Sequence, residues 1–110
     1  MEQETQLYID QGTNFSFPMA LTDNNGVSVD LSTAVVLSQM RAGYQSATAY
    51  DFTCTGNVNG NVVLSMSHTI TSSIKPGRYV FDAFYIINSI PTKFLTGLAF
   101  VLPSSTLIPN

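Results

Sequence analysis

Ile74-Lys75-Pro76-Gly77-Arg78-Tyr79-Val80-Phe81-Asp82 is the stretch whose reading decides the fold. Proline presets φ for the first position of a reversal and glycine accepts positive φ at the second, so a sharp turn is expected at Pro76-Gly77. Beyond it, Tyr79, Phe81, Ala83, Tyr85 and Ile87 occupy alternate positions. A period of two places them on one face of a half-buried strand. A tyrosine leading such a strand out of a corner predicts a hydroxyl bonded to backbone between Ile74 and Gly77. Its ring is then expected in the core with Phe81 and Tyr85.

The same period recurs upstream and downstream in short pieces. Leu7 and Ile9 mark a first strand, and Phe15, Phe17, Met19 and Leu21 alternate in a second. Pro18 lacks a ladder donor, which assigns that strand to an edge or a bulge. Asp23-Asn24-Asn25-Gly26 reads as a turn, with Val27, Val29 and Leu31 continuing the strand pattern after it. Ala34 to Arg41 forms the next strand, and Tyr50, Phe52 and Cys54 alternate in one more. Gly56-Asn57-Val58-Asn59-Gly60 is a hairpin loop returning through Val62, Leu64 and Met66. His68 to Ile74 is polar and suits one helical turn. Asn88-Ser89-Ile90-Pro91 connects to a last strand from Lys93 to Leu102. Seven to eight short strands, with turn signals roughly every 8 to 12 residues, predict an all-β chain. The expected architecture is an immunoglobulin-like antiparallel β-sandwich, one domain over residues 1–110.

Composition narrows the function. The chain has 110 residues, of which 45% are hydrophobic, enough for a core without a metal or disulfide staple. Cys54 is the single cysteine, and its place in the alternation predicts a buried small hydrophobe rather than a reactive thiol. Only 10% of residues are charged, against about 25% in an ordinary soluble protein. Arg41, Lys75, Arg78 and Lys93 are scattered and the net charge is −3, so nucleic-acid binding, which needs a clustered basic footprint, is not expected. Solubility rests instead on 12 Ser, 12 Thr and 8 Asn. Small uncharged polar groups desolvate cheaply and repel weakly at long range, which suits permanent packing against neighbours. Met1-Glu2-Gln3-Glu4 is acidic with no apolar segment after it, so no signal peptide is expected. No apolar run approaches the length of a membrane-spanning helix, so no membrane partner is expected either.

Chemistry-bearing residues are few. His68 is the lone histidine. Ser65, Ser67, Ser72 and Ser73 lie near it, but nucleophilic catalysis also needs an orienting carboxylate and an oxyanion hole. No G-x-S-x-G turn occurs, and an exposed His68 is the simpler reading. Asp23 and Asp30 flank one hairpin and read as turn residues, beside Asp51 and Asp82 in strands. Asp23-Asn24-Asn25-Gly26 opens like a calcium loop, but the later ligands and the closing glutamate are missing. Gly56 and Gly60 precede neither a helix nor a lysine, so they form no phosphate cradle. No catalytic residue, metal or cofactor is therefore expected. The contact candidates are Tyr44, which with Tyr50 flanks a small polar connection, the Leu7-Tyr8-Ile9 strand, and Leu107 and Ile108 in the apolar tail. Such tyrosines suit a sugar or a protein surface.

Several segments together resemble small virion proteins of tailed bacteriophages. They are Ile9-Asp10-Gln11-Gly12 with Phe15, Leu21-Thr22-Asp23 with Gly26, and Val29-Asp30-Leu31-Ser32. Ser38-Gln39-Met40-Arg41, Ala49-Tyr50-Asp51-Phe52 and Gly60-Asn61-Val62-Val63-Leu64-Ser65-Met66 continue the pattern, as do Thr71 to Asp82 and Leu95-Thr96-Gly97. The opening is also similar to the N-terminal attachment module of baseplate and fibre-adaptor proteins. The resemblance spans roughly Ile9 to Leu102 and consists of turn and strand signatures. It implies an immunoglobulin-like structural piece of the particle, made in the host bacterial cytoplasm and residing in the virion. Its partners would be capsid, tail or baseplate proteins, and a homo-oligomer is compatible with it. Adaptors of this kind carry more chain after the module, so a single domain favours decoration or docking. The alternative is a receptor- or carbohydrate-binding adaptor module using Tyr44 and Tyr50.

Overall fold

Alternating apolar positions become eight strands among the described residues, 3–43 and 45–104, of the computed structural model. They are β1 (Gln3–Asp10), β2 (Phe15–Ala20), β3 (Val35–Arg41), β4 (Ala49–Asp51), β5 (Thr53–Gly56), β6 (Asn61–Met66), β7 (Gly77–Ile87) and β8 (Ile90–Leu102). One helical turn, α1 (His68–Thr71), sits between β6 and β7. A five-stranded sheet has the order β1-β8-β7-β3-β4, and a three-stranded sheet the order β2-β6-β5. The two sheets enclose one apolar core, and the protein is an all-β, immunoglobulin-like sandwich.

Pairing is antiparallel throughout except that β1 runs parallel to β8, from Gln3 opposite Leu95 to Asp10 opposite Leu102. Parallel neighbours require a long crossover, and here nearly the whole sandwich serves as that connection. Pro18 lies on β2, an edge of the smaller sheet, where its missing donor faces no partner strand.

The corner that decides the fold is built differently from a simple Pro-Gly turn. The chain bends at Pro76, Gly77 already belongs to β7 with φ 152°, and the Lys75 carbonyl accepts the Tyr79 hydroxyl at 2.5 Å. The Tyr79 ring is buried and meets Tyr50 edge-on at 6.0 Å. Burial, and secondarily Tyr50, pushes its phenol above the ordinary tyrosine range. Phe81 packs edge-on against Phe52 at 6.2 Å. Tyr85 is partly buried and packs against the same core farther along the strand. The β7–β8 register shifts between Ala83 and Phe84, so Phe94 is an extra residue on β8, and the Tyr85 ring stacks on it at 6.0 Å.

Three further expectations are corrected. Val27 to Leu31 is not a strand: only an isolated Thr22–Ser28 bridge forms, Val27 is exposed, Val29 packs partly buried against the core, and Leu31 is buried in it. Tyr50, Phe52 and Cys54 do not share one strand, because the chain changes sheets at Phe52. The link before β8 shrinks to Asn88-Ser89, both at positive φ (53° and 66°), as a two-residue hairpin loop demands.

At the base of the sandwich, the Ser67 side chain caps α1 by accepting from the Ile70 amide. Thr71 is fully buried; its hydroxyl donates to the Thr13 carbonyl at 2.8 Å and accepts the Gly12 amide at 3.1 Å. The Gln11 side chain reaches the Ile74 carbonyl at 2.9 Å, so the β1–β2 crossing is bonded to the corner that launches β7.

Candidate interaction face

Strand β7 is apolar on both sides, and that decides the character of the surface. Tyr79, Phe81 and Ala83 point into the core, while Val80, Phe84 and Ile86 point outward, each partly exposed. The register then assembles rows across the outer face of the five-stranded sheet. Ile86 lies between Pro91 and Val35, Phe84 between Lys93 and Leu37, and Val80 between Leu98 and Arg41. Leu37 is 51% exposed, and Val35 is exposed as well. At the β1 end of the face, Tyr8 is 59% exposed and stacks on Phe100 at 5.4 Å.

A polar belt crosses between these apolar clusters: Glu4, Thr96, Asp82, Gln39 and Asp51, one from each of the five strands. Gln39 donates to Asp51 at 2.6 Å, and Arg41 donates to Gln39 at 3.0 Å and to the Ser46 carbonyl at 2.8 Å. The outer face of the smaller sheet is different. Its rows are Ser16-Ser65-Thr53 and Pro18-Val63-Thr55, small or hydroxylated side chains with little to bury.

Of the contact candidates, Leu7 and Ile9 are corrected: they are 2% and 0% exposed and belong to the core. Leu7 and Ile9 of β1 face the opposite sheet and the residue between them faces outward, so Tyr8 alone of that trio reaches the surface. Its hydroxyl donates to Gln6 at 2.8 Å. Tyr44, Leu107 and Ile108 lie outside the described residues. Tyr50 is half-buried against Tyr79.

The remaining reactive side chains occupy structural places. Asp23 accepts the amides of Asn25 and Val27 at 2.8 and 3.0 Å, and Asp30 accepts that of Ser32 at 2.9 Å; hydrogen bonding from the Ser32 side chain first, and from its amide second, lowers the Asp30 pKa. Cys54 is half-buried, and desolvation, with a smaller contribution from Asp51, pushes its thiol up to about 11. A thiol so raised carries little thiolate at neutral pH. His68 starts α1, exposed, its amide donating to the Asn14 side chain at 2.8 Å. Among the described residues, no three His, Cys, Asp or Glu side chains converge to hold a metal ion. Val35, Leu37, Val80, Phe84 and Ile86 were not singled out by sequence, although apolar residues at both parities of β7 were a readable signal.

No family model matches the chain, and no curated protein matches it in sequence. Its fold is similar to part of InlP of Listeria monocytogenes, with a TM-score of 0.51 at 15% identity. That match covers 92% of this chain and 28% of InlP, so this chain spans little more than a quarter of that protein. A structure from a study of multimeric cell-adhesive interactions of VGSC beta subunits aligns with a TM-score of 0.46 at 11% identity, covering 94% of this chain and 93% of that one. The M1 domain from titin aligns with a TM-score of 0.41 at 11% identity, covering 93% and 91%. What the likeness to InlP shows is the sandwich fold.

Proposed function

We propose that this chain is a non-enzymatic docking module of a tailed-bacteriophage virion, packing on capsid, tail or baseplate proteins through the outer face of its five-stranded sheet. The observation that carries the reading is the contrast between the two outer faces. One exposes Val35 and Leu37 beside the partly exposed Phe84 and Ile86, and the other presents mostly Ser, Thr and small residues. Burying a large aliphatic or aromatic side chain contributes about 1.5–3 kcal/mol, so a cluster of four offsets the cost of association when well packed. Sparse charge fits the same role. The virion setting rests on the resemblance of the turn and strand segments. On this reading the protein is made in the host cytoplasm and resides in the particle.

Leu37→Asp tests it. The side chain is half exposed, so the isolated domain should keep its denaturation midpoint while its recovery in purified particles falls at least about tenfold. Normal recovery of the variant, or the wild-type protein found only free in the lysate, would reject the proposal.

A further inference from the structure

We infer that the hollow where β4 stops receives an arginine side chain from the docking partner. The inference rests on the docking role proposed above and names the chemistry of the surface that fits there.

β4 pairs with β3 only from Gln39–Asp51 to Arg41–Ala49. The chain then leaves for the other sheet through Phe52, whose amide donates to the Ser38 carbonyl at 3.0 Å. The sheet therefore loses its outermost strand beside Leu37, and a hollow of about 470 Å³ opens there. Its walls are Leu37, Phe52 and Phe84, and its polar lining is Gln39, Asp51 and Asp82.

These walls and rims select the occupant. An aliphatic stem can lie along Leu37 and Phe84, as long basic side chains do on apolar surface. The head meets Asp82 and Asp51, which flank Gln39 in one row of the sheet. Strands are about 4.8 Å apart, so the two carboxylates stand on either side of a group seated over β3. Among the described residues no cation forms an ion pair with either one, and the Asp82 carboxylate takes no hydrogen bond. The two cations nearby are engaged elsewhere: Arg41 on Gln39 and Ser46, and Lys93 over the far wall, 5.7 Å from the Phe84 ring centroid. An apolar plug would strip water from both carboxylates without replacing it, and an acidic group would be repelled. A guanidinium is planar, weakly hydrated and able to bond a carboxylate while stacking on an aromatic face, so it fits better than an ammonium.

The test uses the full chain and a synthetic probe, Ac-Ala-Leu-Arg-Leu-Ala-NH2, titrated while backbone amide shifts are recorded. The control peptide carries citrulline, which keeps the shape of arginine without its charge. Saturable shifts should cluster at residues 37–39, 51–52 and 82–84, with the arginine peptide binding about tenfold tighter than the citrulline one. D51N/D82N should abolish that preference. D23N/D30N, which changes net charge equally but away from the face and keeps both turns capped, should retain it. Equal binding of the two peptides, shifts centred elsewhere, an equal loss in D23N/D30N, or no saturation up to about 20 mM would each overturn the inference. Recovery in particles separates the two readings: retained wild-type recovery of D51N/D82N together with lost recovery of Leu37→Asp would discard the arginine site and leave the docking role standing.

Discussion

Replacing Gly97 with alanine tests how β1 is held. Gly97 lies opposite Thr5 in the parallel β1–β8 pair, and a Cβ built there would overlap the Thr5 carbonyl oxygen and press on its carbon and nitrogen. The obstacle is backbone, which cannot rotate aside as a side chain would, so β1 must move. Local adjustment would cost about 1–3 kcal/mol, the usual range for overpacking. Detachment of β1 would expose Leu7 and Ile9, now 2% and 0% exposed, for roughly 3–6 kcal/mol at 1.5–3 kcal/mol per side chain. Against a typical total stability of about 5–15 kcal/mol, either outcome is visible in urea denaturation. Amide exchange separates them, since detachment removes protection from residues 5–9 while β3 and β7 keep theirs. Gly43→Ala, where a Cβ meets nothing within 4 Å, is the control and should stay within about 0.5 kcal/mol of wild type. An unchanged midpoint with full β1 protection in Gly97→Ala would refute the reasoning.

Tyr79→Phe should cost about 1 kcal/mol, because the Lys75 carbonyl lies at an exposed corner where water can replace the lost hydroxyl; Tyr79→Ala should cost about 3–5 kcal/mol by leaving a cavity beside Tyr50. A midpoint unmoved by Tyr79→Ala would contradict the corner's role. Burial raises both the Cys54 thiol, from 9.0 to about 11, and the Tyr79 phenol. The folded state therefore keeps protons that the unfolded chain releases, and the stability these groups contribute is intact below about pH 9 and falls as the pH rises toward 11. Thermal melts across that range should show the decline; a rise in midpoint would reverse the sign. Alkylation of Cys54 should stay slow at pH 8 and accelerate toward pH 11.

Local physics made much of the fold legible. Pro18 signalled an edge, alternation found the core faces of β2, β6 and β7, and Tyr79 after Pro76-Gly77 located the hydroxyl-to-backbone corner. Sheet membership was not legible. The run Tyr50-Phe52-Cys54 keeps a period of two while Phe52 carries the chain from one sheet to the other, and a period does not say which sheet a residue faces. Nor could spacing reveal that β1 pairs with β8, since that contact joins opposite ends of the chain. The interaction face was hidden by the same success that found the core. With Tyr79, Phe81 and Ala83 assigned inward, a period of two by itself does not mark the alternate Val80, Phe84 and Ile86 as a contact surface. The Leu7-Tyr8-Ile9 segment was treated as one contact strip, but the pleat sends its members to opposite sides.

The parallel terminal pair also sets how the molecule bears load. Gln3 lies beside Leu95 and Asp10 beside Leu102, so residues 3 and 102 sit at opposite ends of the same eight-residue ladder. Tension applied between those two points runs along the strands and strains all the β1–β8 hydrogen bonds together in shear. Tension between Asp10 and Leu102, which are paired neighbours, would open the ladder one rung at a time. Single-molecule pulling should therefore find a markedly higher rupture force with handles at residues 3 and 102 than with handles at 10 and 102. A module anchored by its two ends would act as a stiff link in a chain of subunits.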